Sequence, residues 1–510
     1  GARASSPRPT DAGLRKPALG LPQVIPPPPY PCRMERSRWI NSQGPNTYFH
    51  RELKSLTFQA DRQFSSAYSA NFSLNWSIRD DARQRYNGGG TFNPANRQIP
   101  GRNAEYVDQK NWDRGARLDN VFTGRFWGLD STTLVTGEWS FKRPRYRVYR
   151  PTSGNISTLN IDAPNWHIVP YDPAVYTNNT ANRDQQTHVY GLLVREQVKT
   201  KNEKLVAYVA ARQDWISDRF VNHRDTTGLA GVVQRGSRDH LSTMGGASFY
   251  VLPHVPFYAS FAQTFDTQTA SSGNLIGVNE VGQPLETERG RGTEFGIKPE
   301  LLDGRLSFTF AYSQTTQYNV LENDNYTDPV TGNTIAVKLA GGEYKTNGFE
   351  FDASWRVSPH FQVIPSFGFF DPKITASGRD VDAIGRRKPG VSAQSGGLLV
   401  IYSFSKGRLD GLRTILRYRY HGDIYPLSRT GGTDANGNNI IDVGEGSPQR
   451  DWRIPSYGVF GVTLSYPFRI SKQKIDTSLY LNNILDKQYL NANRTPGDRF
   501  SFGVRMSLRL

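Results

Sequence analysis

Residues 305–320 read R-L-S-F-T-F-A-Y-S-Q-T-T-Q-Y-N-V. Leu306, Phe308, Phe310, Tyr312, Tyr318 and Val320 share one phase of a two-residue repeat, and Arg305, Ser307, Thr309, Ser313, Gln317 and Asn319 share the other. Side chains alternate across a strand, so this stretch predicts a strand with one apolar and one polar face, a stripe that no helix presents. The same pattern runs through Tyr68, Phe72, Leu74, Trp76 and Ile78, through Phe349, Phe351, Trp355 and Val357, and through Phe460, Val462, Leu464, Tyr466 and Phe468. It closes the chain, where Phe500, Phe502, Val504, Met506, Leu508 and Leu510 alternate with Ser501, Gly503, Arg505, Ser507 and Arg509.

Composition says what such strands build. The 510 residues are 36% hydrophobic and 12% aromatic, with 48 Gly. Several packed cores would need about 45–50% apolar residues. A disordered chain would not carry 27 Phe, 25 Tyr and 9 Trp. No run approaches the roughly 18 apolar residues of a spanning helix. A large barrel that faces lipid with alternate residues and water with the others satisfies all three limits. The single Cys32 excludes a disulfide scaffold and a Cys-based zinc site. No secretory signal opens the sequence. The net charge of +16 admits nucleic acid, anionic lipid or anionic small ligands as partners.

Residues 1–48 are rich in Pro, Arg and Ser and read as loop or coil. From Phe49 onward about 17 strand segments follow, most of them longer than the 9–11 residues that cross the hydrocarbon. Short connections (62–66, 128–131, 200–204, 253–256, 302–304, 357–360, 469–474) take turns with long ones (roughly 80–116, 143–186, 217–240, 266–289, 322–342, 371–388, 421–454 and 486–498). The expected fold is therefore all-β: a transmembrane antiparallel barrel with short periplasmic turns and long extracellular loops. The last strand should end in the periplasm and the first should start outside. Even-stranded barrels have both ends inside, so 49–510 is expected to be a barrel incomplete at its N-terminal side.

Four segments in order carry a family resemblance. T-E-F-G-I-K-P-E-L-L-D-G-R-L-S-F-T-F at 293–310 resembles the E-x-G-x-K-x-x-x-x-D-x-R-L hairpin of TonB-dependent outer-membrane receptors. V-P-F-Y-A-S-F-A-Q-T-F at 255–265, N-G-F-E-F-D at 347–352 and N-N-I-L-D-K-Q-Y at 482–489 are similar to further strands and the penultimate loop of that family. The resemblance implies ligand-gated uptake of a scarce nutrient, such as a ferric siderophore, across the bacterial outer membrane, and no enzyme activity. It implies as partners a small-molecule substrate, outer-membrane lipid and lipopolysaccharide, the barrel assembly machinery and the TonB-ExbB-ExbD motor. Against the 22 strands of such transporters the chain is about five short. The resemblance leaves the family's plug domain and TonB box without a counterpart in these residues, and Leu510 stands where such barrels usually end in Phe or Trp. A passive porin or adhesive surface barrel is the alternative.

Within the water-facing phase, Glu294, Glu350 and Asp352 are expected to pair with Arg356, Arg413, Arg417 and Arg419; substrate contact and a plain solvated wall are both open for these seven. Asp303-Gly304-Arg305 should form the tight turn, with Gly304 at positive φ. Asp434, Asn436, Asn438, Asp442 and Glu445 occupy positions 1, 3, 5, 9 and 12 of an EF-hand-type frame, although Asn439 replaces the usual Gly at position 6. Calcium and an Asn/Gly-rich surface turn are the two readings; no other cofactor is required. His223 and His240, near Asp218, Asp225 and Asp239, offer a weaker metal reading. The scattered histidines, and the absence of catalytic or phosphate-loop motifs, speak against an enzyme. R-G-R-G at 289–292 leads into a strand, which argues against nucleic-acid binding.

Overall fold

The computed structural model describes residues 47–87, 95–152, 156–160, 162–163, 170–224, 230–266, 287–327, 334–425, 435, 441–446, 453–470, 473–492 and 496–509. Most of the Pro/Arg-rich stretch, residues 1–46, lies outside them. The strands are β1 (Tyr48–Ser65), β2 (Tyr68–Asn87), β3 (Gln98–Phe126), β4 (Leu129–Arg150), β5 (Ile156–Asn160), β6 (Asn178–Lys199), β7 (Leu205–Asn222), β8 (Val233–Leu252), β9 (Val255–Asp266) and β10 (Glu288–Ile297). They continue as β11 (Glu300–Leu301), β12 (Leu306–Thr327), β13 (Thr334–Ser358), β14 (Phe361–Ala376), β15 (Gln394–Ser403), β16 (Arg413–His421), β17 (Tyr457–Ile470), β18 (Gln473–Asn482) and β19 (Ser501–Arg509). Of these 19, β5 and β11 are short additions to β3 and β12, leaving 17 wall strands in an antiparallel meander. Among the described residues β1 pairs with β2 and β19 with β18, and no ladder joins β1 to β19.

Register carries the two-faced pattern from strand to strand. Leu306 pairs with Trp355, and the row continues through Val363, Val400, Leu416, Val462 and Leu481 to Phe502. Paired residues share a face, so eight strands present one apolar row. On the same face Phe310, Phe349, Phe367 and Phe502 are exposed, Phe502 at 70%. Phe310 stacks on Phe349 with ring centroids 6.0 Å apart, and Tyr312 lies 5.0 Å from the same ring. Exposed aromatic rows are what a sheet shows when its apolar face meets lipid.

The strands outrun the apolar pattern. β3 has 29 residues and β13 has 25, so much of what the sequence reads as long connection at 80–116, 143–186 and 322–342 is paired strand. A strand tilted about 45° rises roughly 2.4 Å per residue, so about ten residues cross a band about 25 Å tall. Beyond that height both faces meet water, hydrophobic alternation loses its purpose, and the ladder continues without it. Buried clusters sit there. Tyr86, Ala104 and Tyr176 pack with Tyr106, Tyr149 and Tyr171 where the connection after β4 folds back. Tyr171 stacks on Tyr106 at 3.5 Å, and Gln84 Nε2 donates to the Tyr176 hydroxyl at 3.0 Å.

Six short connections fall where expected, at 66–67, 127–128, 200–204, 253–254, 298–305 and 359–360; of the seventh, expected at 469–474, residues 471–472 lie outside the described residues, and a further one, at 404–412, has no counterpart in the sequence reading. In 302–305 the left-handed conformation belongs to Leu302 (φ 56°) and Asp303 (φ 55°) as well as Gly304 (φ 76°), and Arg305 N–H donates to Leu302 O at 3.1 Å. The motif before the last strand is also structural. Buried Asn483, at φ 45°, donates to the carbonyls of Lys487 (2.9 Å) and Asp498 (2.8 Å) and accepts from Lys487 N–H (2.9 Å). Asp486 accepts from Arg499 Nε (2.6 Å) and Phe500 N–H (3.0 Å), which fixes where β19 starts.

Phe310→Arg is expected to lower the stability of the inserted protein by about 2–4 kcal/mol, because Phe310 lies near the middle of the lipid-facing band. Thr309→Arg, one residue away on the polar face opposite Asp352, should leave it nearly unchanged. Heat-modifiable gel mobility after refolding into bilayers measures both. Asn483→Ala should cost about 1–3 kcal/mol by orphaning buried backbone groups. Lys487→Ala, which removes none of those bonds, should not; thermal unfolding compares the two.

Candidate functional site

The polar face of β1 to β8 is a lattice of matched charges. Arg117 and Asp119 pair at 2.9 Å, Arg212 bridges Asp214 (2.7 Å) and Glu138 (3.0 Å), and Arg238 meets Asp218 at 2.7 Å. Thr136 and Thr187 donate to Asp119 (2.5 Å) and Asp218 (2.6 Å). The i, i+2 spacing of Arg117 with Asp119 and of Arg212 with Asp214 follows from strand period, which puts both side chains on one face. Buried carboxylates so satisfied hold the wall together.

The seven residues singled out in the sequence all lie on this face, but the expected pairing is not found. Asp352 and Arg419 belong to one row, Asp352–Ser366–Gly397–Arg419. Three strand spacings of about 4.8 Å separate them by roughly 14 Å, too far for an ion pair. Arg417 instead donates to Asn482 Oδ1 at 2.9 Å. Glu294 accepts from the hydroxyl of Tyr258, whose ring lies over Gly296; a Cβ there would stand 2.7 Å from that ring. Glu350 lies one row from Asp352, while Arg356 and Arg413 sit at the short-turn ends of β13 and β16. Register brings these groups to one face, where Glu294, Glu350 and Asp352 lie near one another and the four arginines lie elsewhere along it.

Higher on the same face is a cavity of about 770 Å³, lined by Glu105, Gln109, Tyr146, Arg150, Arg183 and Gln185 among others. Gln109 stands 17 residues before the end of β3 at Phe126, roughly 40 Å above the short turn and clear of the apolar band. Glu105 is buried, with Arg150 at 2.6 Å and Arg85 at 3.4 Å. Its residues fall in stretches read as long connections. The signal is R-P-R-Y-R-V-Y-R at 143–150, a two-residue alternation with Arg143, Arg145 and Arg147 in one phase and Pro144, Tyr146 and Val148 in the other.

The segment after β14 adds a second polar group to this face. Lys388 N–H donates to Pro372 O (2.9 Å) and Ile374 N–H donates to Arg386 O (3.0 Å), folding 377–393 back on the wall. Lys388 Nζ then donates to Gln317 Oε1 at 2.8 Å and stands 4.5 Å from the Tyr344 ring. Burial pushes its ammonium below the usual lysine range, opposed by Glu288. Nearby, Arg387 and Arg453 share Asp423 at 3.3 and 3.1 Å.

Of the calcium frame, Asp434, Asn436 and Asn438 lie outside the described residues. Glu445 accepts the N–H of Asp442 (2.9 Å) and Ala435 (3.2 Å), so its carboxylate closes the loop on backbone donors. The histidine cluster does not assemble: Asp218 is held by Arg238, the His240 ring packs 4.4 Å from Phe265, and Asp225 lies outside the described residues. Among the described residues no three His, Cys, Asp or Glu side chains converge for a metal.

A family profile described as "TonB dependent receptor-like, beta-barrel" matches residues 7–484. The metal-pseudopaline receptor of Pseudomonas aeruginosa is 25% identical over 316 residues, 60% of this chain and 39% of that protein. The ferrichrome outer membrane transporter/phage receptor of Escherichia coli is 21% identical over 476 residues, 88% of this chain and 57% of that protein. The chain thus spans about two fifths to three fifths of the length of these two relatives. The crystal structure of the ferric preacinetobactin receptor of Acinetobacter baumannii superposes with a TM-score of 0.71 at 13% identity, over 91% of this chain and 63% of that one. With its 17-strand antiparallel wall, lipid-facing aromatic rows and the profile match along nearly its whole length, the chain belongs to the TonB-dependent receptor β-barrel family of the bacterial outer membrane.

Proposed function

We propose that this chain forms the wall of a receptor that takes up a ferric siderophore, energised through TonB, with the ligand captured on the side of the long connections. The carrying observation is the polar-face cavity above the apolar band, where Arg150 and Arg183 stand beside Tyr146, Gln109 and Gln185. Guanidinium forks and amides suit the oxygen-rich, anionic surface of a metal chelate, and a tyrosine ring suits its planar parts. The relatives are named for several different chelates, including metal-pseudopaline, ferrichrome and ferripyoverdine, which supports the class of ligand and leaves its member to experiment.

Uptake of radiolabelled iron presented on a panel of siderophores, in cells whose only receptor for them is the full protein, tests this. One chelate should be imported saturably, and Arg183→Ala or Tyr146→Ala should raise its half-saturation concentration about tenfold, the effect of one lost hydrogen bond to a charged group. Import that survives loss of TonB supports a passive porin instead.

A further inference from the structure

Glu105 is the buried acid of the polar-face cavity, 2% exposed among side chains otherwise suited to anions. A carboxylate in that lining repels what the neighbouring arginines attract. Register shows what holds it there. Glu105 on β3 pairs with Arg85 on β2, and Tyr106 pairs with Tyr149 on β4, which puts Arg150 opposite Glu105 on its other side. The row Arg85–Glu105–Arg150 thus sets one carboxylate between two guanidiniums and keeps a net positive charge.

The two arginines are held differently. Arg150 donates from both Nε (3.1 Å) and Nη2 (2.6 Å) to Oε1 of Glu105, whereas Arg85 reaches Oε2 through Nη2 alone, at 3.4 Å. Gripped by its Nε–Nη2 edge, the Arg150 guanidinium has its plane fixed. Its Nη1 makes no hydrogen bond among the described residues, and the second N–H of Nη2 lies beside it. Two parallel N–H groups of this kind take a carboxylate bidentately. Arg85, one strand behind, offsets the charge of Glu105, so the charge of Arg150 is left to the cavity.

Beyond Arg150 the lining turns apolar. Val148 and Ala181, both buried, pair with each other, and Tyr146 pairs with Arg183. Tyr146 is four residues from Arg150, roughly 13 Å along the strand. The cavity of about 770 Å³ therefore has a fixed guanidinium at one end, a second arginine at the other and an apolar strip between them.

We propose that Glu105 is a positioning residue for ligand recognition, aiming Arg150 at a peripheral carboxylate, so that the chelate taken up is one whose organic ligand carries a carboxylate not spent on the metal. The inference rests on the chelate-receptor reading above and narrows it to a class of chelate. If Glu105 merely tempered the positive charge, the opposite sign would follow. Removing a negative charge from the lining strengthens Coulombic attraction for an anion. Removing the group that aims a guanidinium weakens the bidentate bond instead.

The test uses purified full receptor in detergent and ferric chelates in matched pairs. A tris-hydroxamate and a tris-catecholate each bear either a succinyl arm, which ends in a carboxylate, or an uncharged acetyl arm, and quenching of tryptophan fluorescence reads the Kd. Wild type should bind the succinyl form of one scaffold about tenfold more tightly than its acetyl form, the effect of one hydrogen bond between charged groups. Glu105→Gln should erase that preference, whereas a slackened wall would weaken both forms alike. In an Arg150→Gln background, Glu105→Gln should change nothing further, because a residue acting through another has no effect once the other is gone. Tighter binding of the succinyl form by Glu105→Gln overturns the proposal, as does a preference that survives in either single variant. So does a wild type that binds the two arms equally or binds neither pair, a result that needs no variant to fold. Equal binding of the two arms leaves the chelate reading standing, while failure to import any siderophore of the uptake panel removes that reading as well.

Discussion

Everything in this molecule depends on the antiparallel ladder, because hydrocarbon offers no partner to a backbone N–H or C=O. Each unsatisfied group there costs several kcal/mol. Pairing every wall strand with the next removes that cost for all but the outer edges of β1 and β19 and, with the two-residue side-chain period, divides the residues into two faces at once. A slip of one residue would carry Glu350 and Asp352 into lipid and Phe349 and Phe351 onto the polar face. The apolar row from Leu306 to Phe502 is therefore a statement about register as much as about hydrophobicity.

The ladder also decides which charges meet. Residues two apart on one strand, or opposite on adjacent strands, fall within reach, as Arg212 does of Asp214 and Glu138. Residues in one row but three strands apart do not, whatever their charges, and Asp352 and Arg419 are that case. Sequence supplies the face, since parity alone assigns it. It does not supply the row, because the climb of the register from strand to strand depends on turn lengths and bulges such as those at Gln317/Val320 and Glu343/Tyr344.

This explains what was legible. The strand at 305–320, the turn at 302–304 and the strand N-G-F-E-F-D are readable because lipid forces alternation on them. The upper halves of β3, β4 and β13 carry no such alternation, because water on both sides lifts that demand. The polar-face cavity, with Tyr146 and Arg183, lies in those upper halves, so the part of the protein suited to meeting a ligand is the part whose pattern is weakest. Lys388 is harder still. Its place beside Tyr344 comes from backbone hydrogen bonds of 377–393 to Pro372 and Ile374, which have no signature in side-chain type.

Arginine shows how far one residue type is governed by height and face. Arg212 and Arg238, in the paired lattice, are matched to carboxylates, and removing one partner would strand a buried charge. Arg150 and Arg183 stand above the band on the polar face, where they line a cavity and Arg150 is paired with the buried carboxylate of Glu105. Arg289 and Arg291 are in the lipid phase, and only their height makes them tolerable. Two strand steps toward Phe295 would move either into hydrocarbon, at a cost of kilocalories. Composition counts all six as the same positive charge; the ladder assigns two to the wall, two to the polar-face cavity above the band and two to the membrane border.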